Sequence, residues 1–439
     1  MSCHWKLGIA AAALGLSGIW LDFSPPIEVD SRRNTTLSAM SALPSQSPKT
    51  SPETSVLASD RLPQLVAQKV GGSADDRPDA QDRGRLAIEG STLLSNGSLG
   101  NGYRLSVRNG DRIALELDSE DFDTYLRVLD RNGAVVVEND DRSDFNFNSR
   151  VFETFEPGEY VVLVSTYGVL QQGQYTLSVT GADRLRAIDA RDLPLAGNTD
   201  LQPLDIEAAI AEMASREAEN SDLEARFRSI VQVYIGVNTG SGTLLTDKGL
   251  LLTNFHVLAE SDNSTQPLDE TIYIGLALRP DRPVTPLFRG TIKRMAPEED
   301  LALVQITSDL LGNPLPANLQ FNTIPLGDVD GVTLGEPITV LGFPGTTAIQ
   351  AGGASYLTLT QGVVSAILSR DGKRYDFLSD VTVNAGNSGG ATLNAKGELI
   401  AVPSGTVSET GRSPSDIDEA SVLRAISTIP SEWFSLIDR

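Results

Sequence analysis

Val383-Asn384-Ala385-Gly386-Asn387-Ser388-Gly389-Gly390 reads VNAGNSGG, three glycines crowded around one serine. Two readings compete for it. Gly, Asn and Ser are ordinary turn residues, because they supply positive φ or bond their own backbone. The same arrangement also holds a serine out where a second reactant can approach it. The choice between them depends on what the rest of the chain can bring to Ser388.

A serine hydroxyl is a weak nucleophile at neutral pH. It needs a base within hydrogen-bond reach, and the base needs an orienting group. Histidine suits the first role, because its pKa lies near working pH. The chain has two histidines, His4 and His256. His4 sits in an N-terminal apolar segment, which leaves His256, in LLTNFHVLAE. A lone histidine is more often structural than catalytic, so chain order has to decide. Gly386, Ser388 and Gly390 also satisfy G-x-S-x-G, the nucleophile elbow of α/β-hydrolases. Those enzymes place their histidine after the serine, and none follows Ser388. The order His, Asp, Ser is that of double-barrel serine proteases. It predicts an aspartate between the two, at the edge of an apolar strand. Asp300, directly before Leu301-Ala302-Leu303-Val304, meets that requirement. The plain alternative is a solvated strand start; an orienting carboxylate has to be partly buried.

The 439 residues suffice for two or three domains, and 40% apolar content is enough for ordinary cores. A formal net charge of −23 argues against nucleic acid as a partner, since phosphate binding needs a basic face. It also disfavours docking on an anionic membrane. The single cysteine, Cys3, excludes an intramolecular disulfide. Residues 1–22 have one lysine followed by an apolar run, the pattern of a secretory signal. No clear cleavage site follows, so an uncleaved anchor is the alternative. The expected location is periplasmic or secreted, with membrane contact only through that segment.

Residues 23–84 are rich in Ser, Pro, Thr and Asp, as in SALPSQSPKTSPETS, and read as a disordered linker. Residues 85–182 alternate apolar and polar positions between Asn-Gly and Pro-Gly turns, which predicts an antiparallel β-sandwich of jelly-roll kind. Residues 183–228 read as a mostly helical linker, with helical spacing over 205–227. Over 229–439, short strands return between turns rich in Gly, Pro and Asp. That is the pattern of a barrel or paired barrels. Residues 419–436 look helical, interrupted by Pro430. The fold expected is mainly β: a sandwich, a helical spacer and a double barrel.

The motifs of the last region carry a resemblance. Gly240-Ser241-Gly242-Thr243, Thr253-Asn254-Phe255-His256-Val257 and Asp300-Leu301-Ala302-Leu303 resemble the histidine and aspartate segments of trypsin-like peptidases of the HtrA kind. Leu341-Gly342-Phe343-Pro344-Gly345, Thr360-Gln361-Gly362-Val363-Val364-Ser365 and Gly386-Asn387-Ser388-Gly389-Gly390 continue the match in order. The resemblance implies a chymotrypsin-like double barrel and a serine endopeptidase acting on proteins or peptides, with no required cofactor. It assigns His256 as base, Asp300 as its orienting acid and Ser388 as nucleophile. The backbone N–H groups of Gly386 and Ser388 form the oxyanion hole. No PDZ domain is recognised after the core, and Phe255 replaces the alanine usual beside the histidine. Asn387 stands where trypsin-type zymogens use an aspartate as an activation switch. The competing readings are a silent protease-fold scaffold and an esterase on the same triad.

Two finer expectations follow. By analogy with the double-barrel fold, Thr382, six residues before the nucleophile, and Val402 and Ser404 wall the pocket for the residue before the scissile bond. None is charged, so a small or medium apolar residue is expected there. The segment DFDTYLRVLDRNGAVVVENDD resembles a bacterial pre-peptidase C-terminal (PPC) domain. Its Asp121, Asp123, Asp140 and Asp141 read either as exposed turn acids or as a calcium site, calcium taking six to eight hard oxygens.

Overall fold

The computed structural model describes residues 79–437, except 109, 111, 144, 183, 190–191, 196–200, 216–221, 261–263, 351–353 and 408–419. The expected signal or anchor (1–22) and most of the expected linker lie outside the described residues.

The alternating segments form two sheets. One has the order β1 (Ala80–Leu86), β9 (Gly173–Thr180), β4 (Arg112–Asp118), β7 (Ser149–Thr154). The other runs β10 (Arg184–Ile188), β3 (Leu99–Val107), β8 (Gly158–Thr166), β5 (Thr124–Leu129), β6 (Val135–Asn139), with β2 (Thr92–Leu93) paired to β3. Every second residue of β4 faces inward, so Ile113, Leu115 and Leu117 meet Leu105, Leu126 and Val162 of the other sheet in one core. Burying each such side chain contributes about 1.5–3 kcal/mol.

Two boundaries differ from the sequence reading. β1 starts at Ala80, inside the expected linker 23–84, and pairs along its whole length with β9. One of its inward positions is Asp82, 9% exposed, so no apolar alternation announces the strand. The stretch 183–228 is only partly helical among the described residues. It opens with β10, which extends the second sheet, before α1 (Ile206–Ser215) and α2 (Asp222–Phe227).

Two closed antiparallel barrels follow. The first has the order β11 (Ile230–Ile235), β12 (Asn238–Leu244), β13 (Leu250–Thr253), β16 (Leu301–Asp309), β15 (Thr285–Ala296), β14 (Ile272–Leu276) and closes on β11. The second has the order β17 (Pro337–Gly342), β18 (Thr358–Arg370), β19 (Lys373–Ser379), β22 (Ala420–Ala425), β21 (Leu399–Val407), β20 (Ala391–Leu393) and closes on β17. This is the chymotrypsin-like double barrel. A short helix, α3 (Gly345–Gln350), follows β17, and α4 (Phe434–Ile437) lies near the C-terminus. The expected helix over 419–436 is corrected. Ala420–Ala425 is a strand with Ser421, Leu423 and Ala425 buried in alternation. The buried serine, which donates to Val381 O at 2.6 Å, disguised the period of two.

Polar contacts join the sandwich to the first barrel. Arg289 pairs with Glu89 at 3.1 Å, and Gln172 Nε2 reaches Tyr273 Oη at 3.5 Å.

Candidate active site

β13 ends at Thr253, and the chain turns through Asn254 and Phe255 into a single 3-10 turn, His256–Leu258. Val257 and Leu258 are buried and anchor the turn, so the His256 ring is set at the barrel rim. Asp300 occupies the residue before β16, the strand paired with β13. Its φ is +54°, a left-handed conformation that Asp tolerates better than most residues. The two meet closely. His256 Nδ1 lies 2.9 Å from Asp300 Oδ2 and 3.1 Å from Oδ1, and the His256 backbone N–H donates to Oδ1 at 2.9 Å. The side chains are 26% and 24% exposed, so the carboxylate has the partial burial an orienting acid needs.

Asn254 escaped the sequence reading. Fully buried, its Nδ2 lies within reach of Asp300 O at 2.8 Å, Asp300 Oδ2 at 3.0 Å and Ser404 Oγ at 2.8 Å. A polar residue at the buried end of an apolar strand, two before the histidine, was the available signal. Phe255, in place of the usual alanine, is 3% exposed and packs inward rather than lining the cleft.

Ser388 comes from the second barrel, in the connection before β20. Asn387 N donates to Asn384 O at 3.0 Å, closing a tight turn with Gly386 at φ +97°. A Cβ on Gly386 would lie 2.4 Å from Phe343 O and 2.9 Å from Gly345 N. Position 386 therefore excludes any side chain on both conformational and steric grounds. Asn387 is 2% exposed, and its Oδ1 has no hydrogen-bond partner.

His256, Gly386 and Ser388 line one cleft of about 360 Å³, together with Val237, Asn238, Thr239, Val257, Ala259, Glu260 and Ala385. Walls from both barrels bring the expected base and nucleophile to one opening. Thr382, Val402 and Ser404 do not line it. Thr382 is exposed, with its carbonyl accepting from Thr360 Oγ1 at 3.1 Å, and Val402 is fully buried. The Ser404 hydroxyl instead approaches Asn254 and donates to Val402 O at 3.2 Å.

The sandwich acids divide. Asp121 Oδ2 accepts from Gln174 N at 2.7 Å, and Asp140 Oδ1 accepts from Asp141 N at 3.0 Å. Asp123 keeps one buried carboxylate oxygen without a partner. Burial, then the charges of Asp141 and Asp140, push its pKa up to about 6. Among the described residues, no group of three or more His, Cys, Asp or Glu is arranged to hold a metal.

Two segments of the chain match known families. Residues 240–402 match the trypsin-like peptidase domain family, and residues 101–166 the bacterial pre-peptidase C-terminal domain family. Putative protease Do-like 14 of Arabidopsis thaliana is 30% identical over 181 residues, 39% of this chain and 36% of that protein. A probable periplasmic DegP-like serine endoprotease of Pseudomonas putida is 29% identical over 175 residues, 39% of this chain and 30% of that one. An HtrA-like serine protease of Staphylococcus aureus is 29% identical over 185 residues, 38% and 20% of the two chains. The chain thus spans little more than a third, or less, of these relatives. Among solved structures, the HtrA-type protease AlgW with tripeptide is 24% identical, with TM-score 0.35, covering 54% of this chain and 64% of that one. The chain carries a trypsin-like peptidase domain, preceded by a bacterial pre-peptidase C-terminal domain.

Proposed function

We propose that this chain is a serine endopeptidase that hydrolyses peptide bonds in proteins or peptides outside the cytoplasm. In this reading Ser388 Oγ attacks the scissile carbonyl while His256 takes its proton and returns it to the leaving amine. Asp300 holds the imidazole in one tautomer and stabilises its protonated form. The N–H groups of Gly386 and Ser388 receive the developing oxyanion, and preorganised donors of this kind act most strongly where water is excluded. The observation that carries the reading is the grip of Asp300 on His256 beside a cleft that Ser388 and Gly386 share. The buried, uncharged Asn387 supports an enzyme without a charged N-terminal activation switch.

The extracytoplasmic setting rests on the signal-like residues 1–22 and on the similarity to a periplasmic endoprotease. No helix among the described residues is long and apolar enough to cross a membrane.

Fluorophosphonate labelling of the wild type and of Ser388→Ala tests the site without knowledge of the substrate. The wild type should label and cleave a casein-type substrate. The alanine variant should do neither, with an unchanged melting temperature. Equal labelling of both proteins would return the domain to a binding or scaffold role.

A further inference from the structure

Ser241 lies in β12 of the first barrel, fully buried between two glycines, and makes four hydrogen bonds. Its backbone N–H donates to Ser388 O at 2.7 Å, and its carbonyl accepts from Thr253 Oγ1 at 2.7 Å. Its hydroxyl donates to Gly386 O at 2.7 Å and accepts from Phe343 N–H at 2.9 Å. One residue therefore ties the strand leading to His256 and Ser388 through its backbone, and the turn of Gly386 through its side chain.

The geometry of that turn gives the hydroxyl a specific task. A trans peptide points its C=O and N–H in opposite directions. The Ala385 carbonyl accepts from Gly345 N–H at 2.8 Å, which fixes the 385–386 plane with the Gly386 N–H facing away from Gly345. The next plane, 386–387, is held on both edges, by Ser241 Oγ–H on the Gly386 carbonyl and by the Asn387 N–H on Asn384 O. Gly386 carries no Cβ and has a left-handed φ, so its own conformational preference resists rotation weakly. The orientation of its N–H depends on these three bonds, and the one from Ser241 comes from the other barrel.

We infer that Ser241 is a positioning residue for the oxyanion donor: its hydroxyl holds the Gly386 turn in the orientation that aims the Gly386 N–H at the reacting carbonyl. This rests on the endopeptidase reading above. Ser241 touches neither substrate nor the reacting atoms in this role. It acts through Gly386, so its removal weakens transition-state binding and leaves substrate binding nearly intact. It also makes donor alignment depend on the docking of the two barrels, because β12 belongs to the first and the turn to the second.

The test compares wild type, Ser241→Ala and Ser388→Ala in steady-state peptide hydrolysis and in inhibition by a peptidyl boronate. Losing a direct oxyanion donor costs about 100- to 1,000-fold in kcat. For Ser241→Ala, a smaller fall of roughly 10- to 100-fold in kcat is expected, with KM within about twofold. The boronate inhibition constant should rise by the same factor as kcat/KM falls, because the boronate occupies the hole and the ground-state substrate does not. The acid limb of the pH profile should stay where the wild type has it. Unchanged kcat, a rise confined to KM, or a loss proportional only to the unfolded fraction each overturns the proposal. If Ser241→Ala does not fold, Ser241→Cys decides on the same readouts, since it retains a side-chain donor, a weaker one, and predicts an intermediate fall. Failure of the wild type itself to label with fluorophosphonate overturns the endopeptidase reading and this one with it. Normal labelling of the wild type alongside full activity of Ser241→Ala overturns this one alone.

Discussion

Asp300 and Asp123 occupy the same local position, each the residue before a β-strand, each partly buried. Their surroundings differ in sign. Asp300 is met by donors: the His256 backbone, the His256 ring and the Asn254 amide. Asp123 is met by Asp141 and Asp140, and one of its oxygens has no partner. A carboxylate ringed by donors can orient a base. One ringed by acids is driven toward its neutral form. What separates them is which loops fold over them, and no window of sequence around either aspartate contains that.

The comparison breaks most decisively by removing each charge in turn. Asp300→Asn should lower kcat by about 1,000- to 10,000-fold, the scale on which tautomer control matters. Asp123→Asn should leave kcat within about twofold. Peptide hydrolysis by both purified variants measures this, and comparable losses would mean that the donors around Asp300 do not set its role.

Asn254→Ala sharpens the same point from the donor side. It strips Asp300 of the Asn254 amide while sparing the His256 contacts. We expect kcat to fall roughly tenfold or more, and stability by about 1–3 kcal/mol for the buried groups left unpaired. Kinetics and urea unfolding separate the two effects. A stability loss with undiminished kcat would show that His256 alone aligns the carboxylate.

Lowering the pH should move the two regions in opposite directions. His256 must be neutral to accept a proton, so kcat/KM should fall as pH drops through roughly 6 to 7. A rate that stays flat from about pH 5 to 8, with chemistry limiting, contradicts the base assignment. Asp123 behaves otherwise. Its folded pKa, near 6, is raised above the ordinary 3.8. The charged form is penalised in the fold, fully above pH 6 and progressively less toward pH 4. Asp123→Asn should therefore stabilise the sandwich at pH 7.5 by about 0.5–1 kcal/mol after solvent screening, and the gain should fade by about pH 4. Denaturant unfolding at the two pH values measures the smallest of these effects. A gain of equal size at both would assign it to something other than the charge.

How much was legible follows the type of signal. The order of His256, Asp300 and Ser388 along the chain limited the fold to a double barrel, and both barrels close as that order requires. Of the three strands that hid, β1, β10 and β22, two carry a polar residue turned inward, Asp82 in β1 and Ser421 in β22. Their periodicity of burial is intact, but their periodicity of hydropathy is not. The pocket residues were placed by counting from Ser388, and counting cannot anticipate that the Ser404 hydroxyl engages Asn254, 150 positions away. Asn254 and Ser241 went unread for a related reason. Their partners lie on other strands, and a polar side chain's role is fixed by what it meets.

The order of strands in the second barrel has a consequence for synthesis. That barrel closes only when β22 pairs with both β19 and β21. A chain emerging from the ribosome exposes His256 and Asp300 first, then Ser388, then the closing strand. Because β strands distant in sequence pair late, Ser388 waits for Ala420–Ala425 before its barrel is complete. On the endopeptidase reading proposed above, a half-made copy lacks the finished wall that carries its nucleophile.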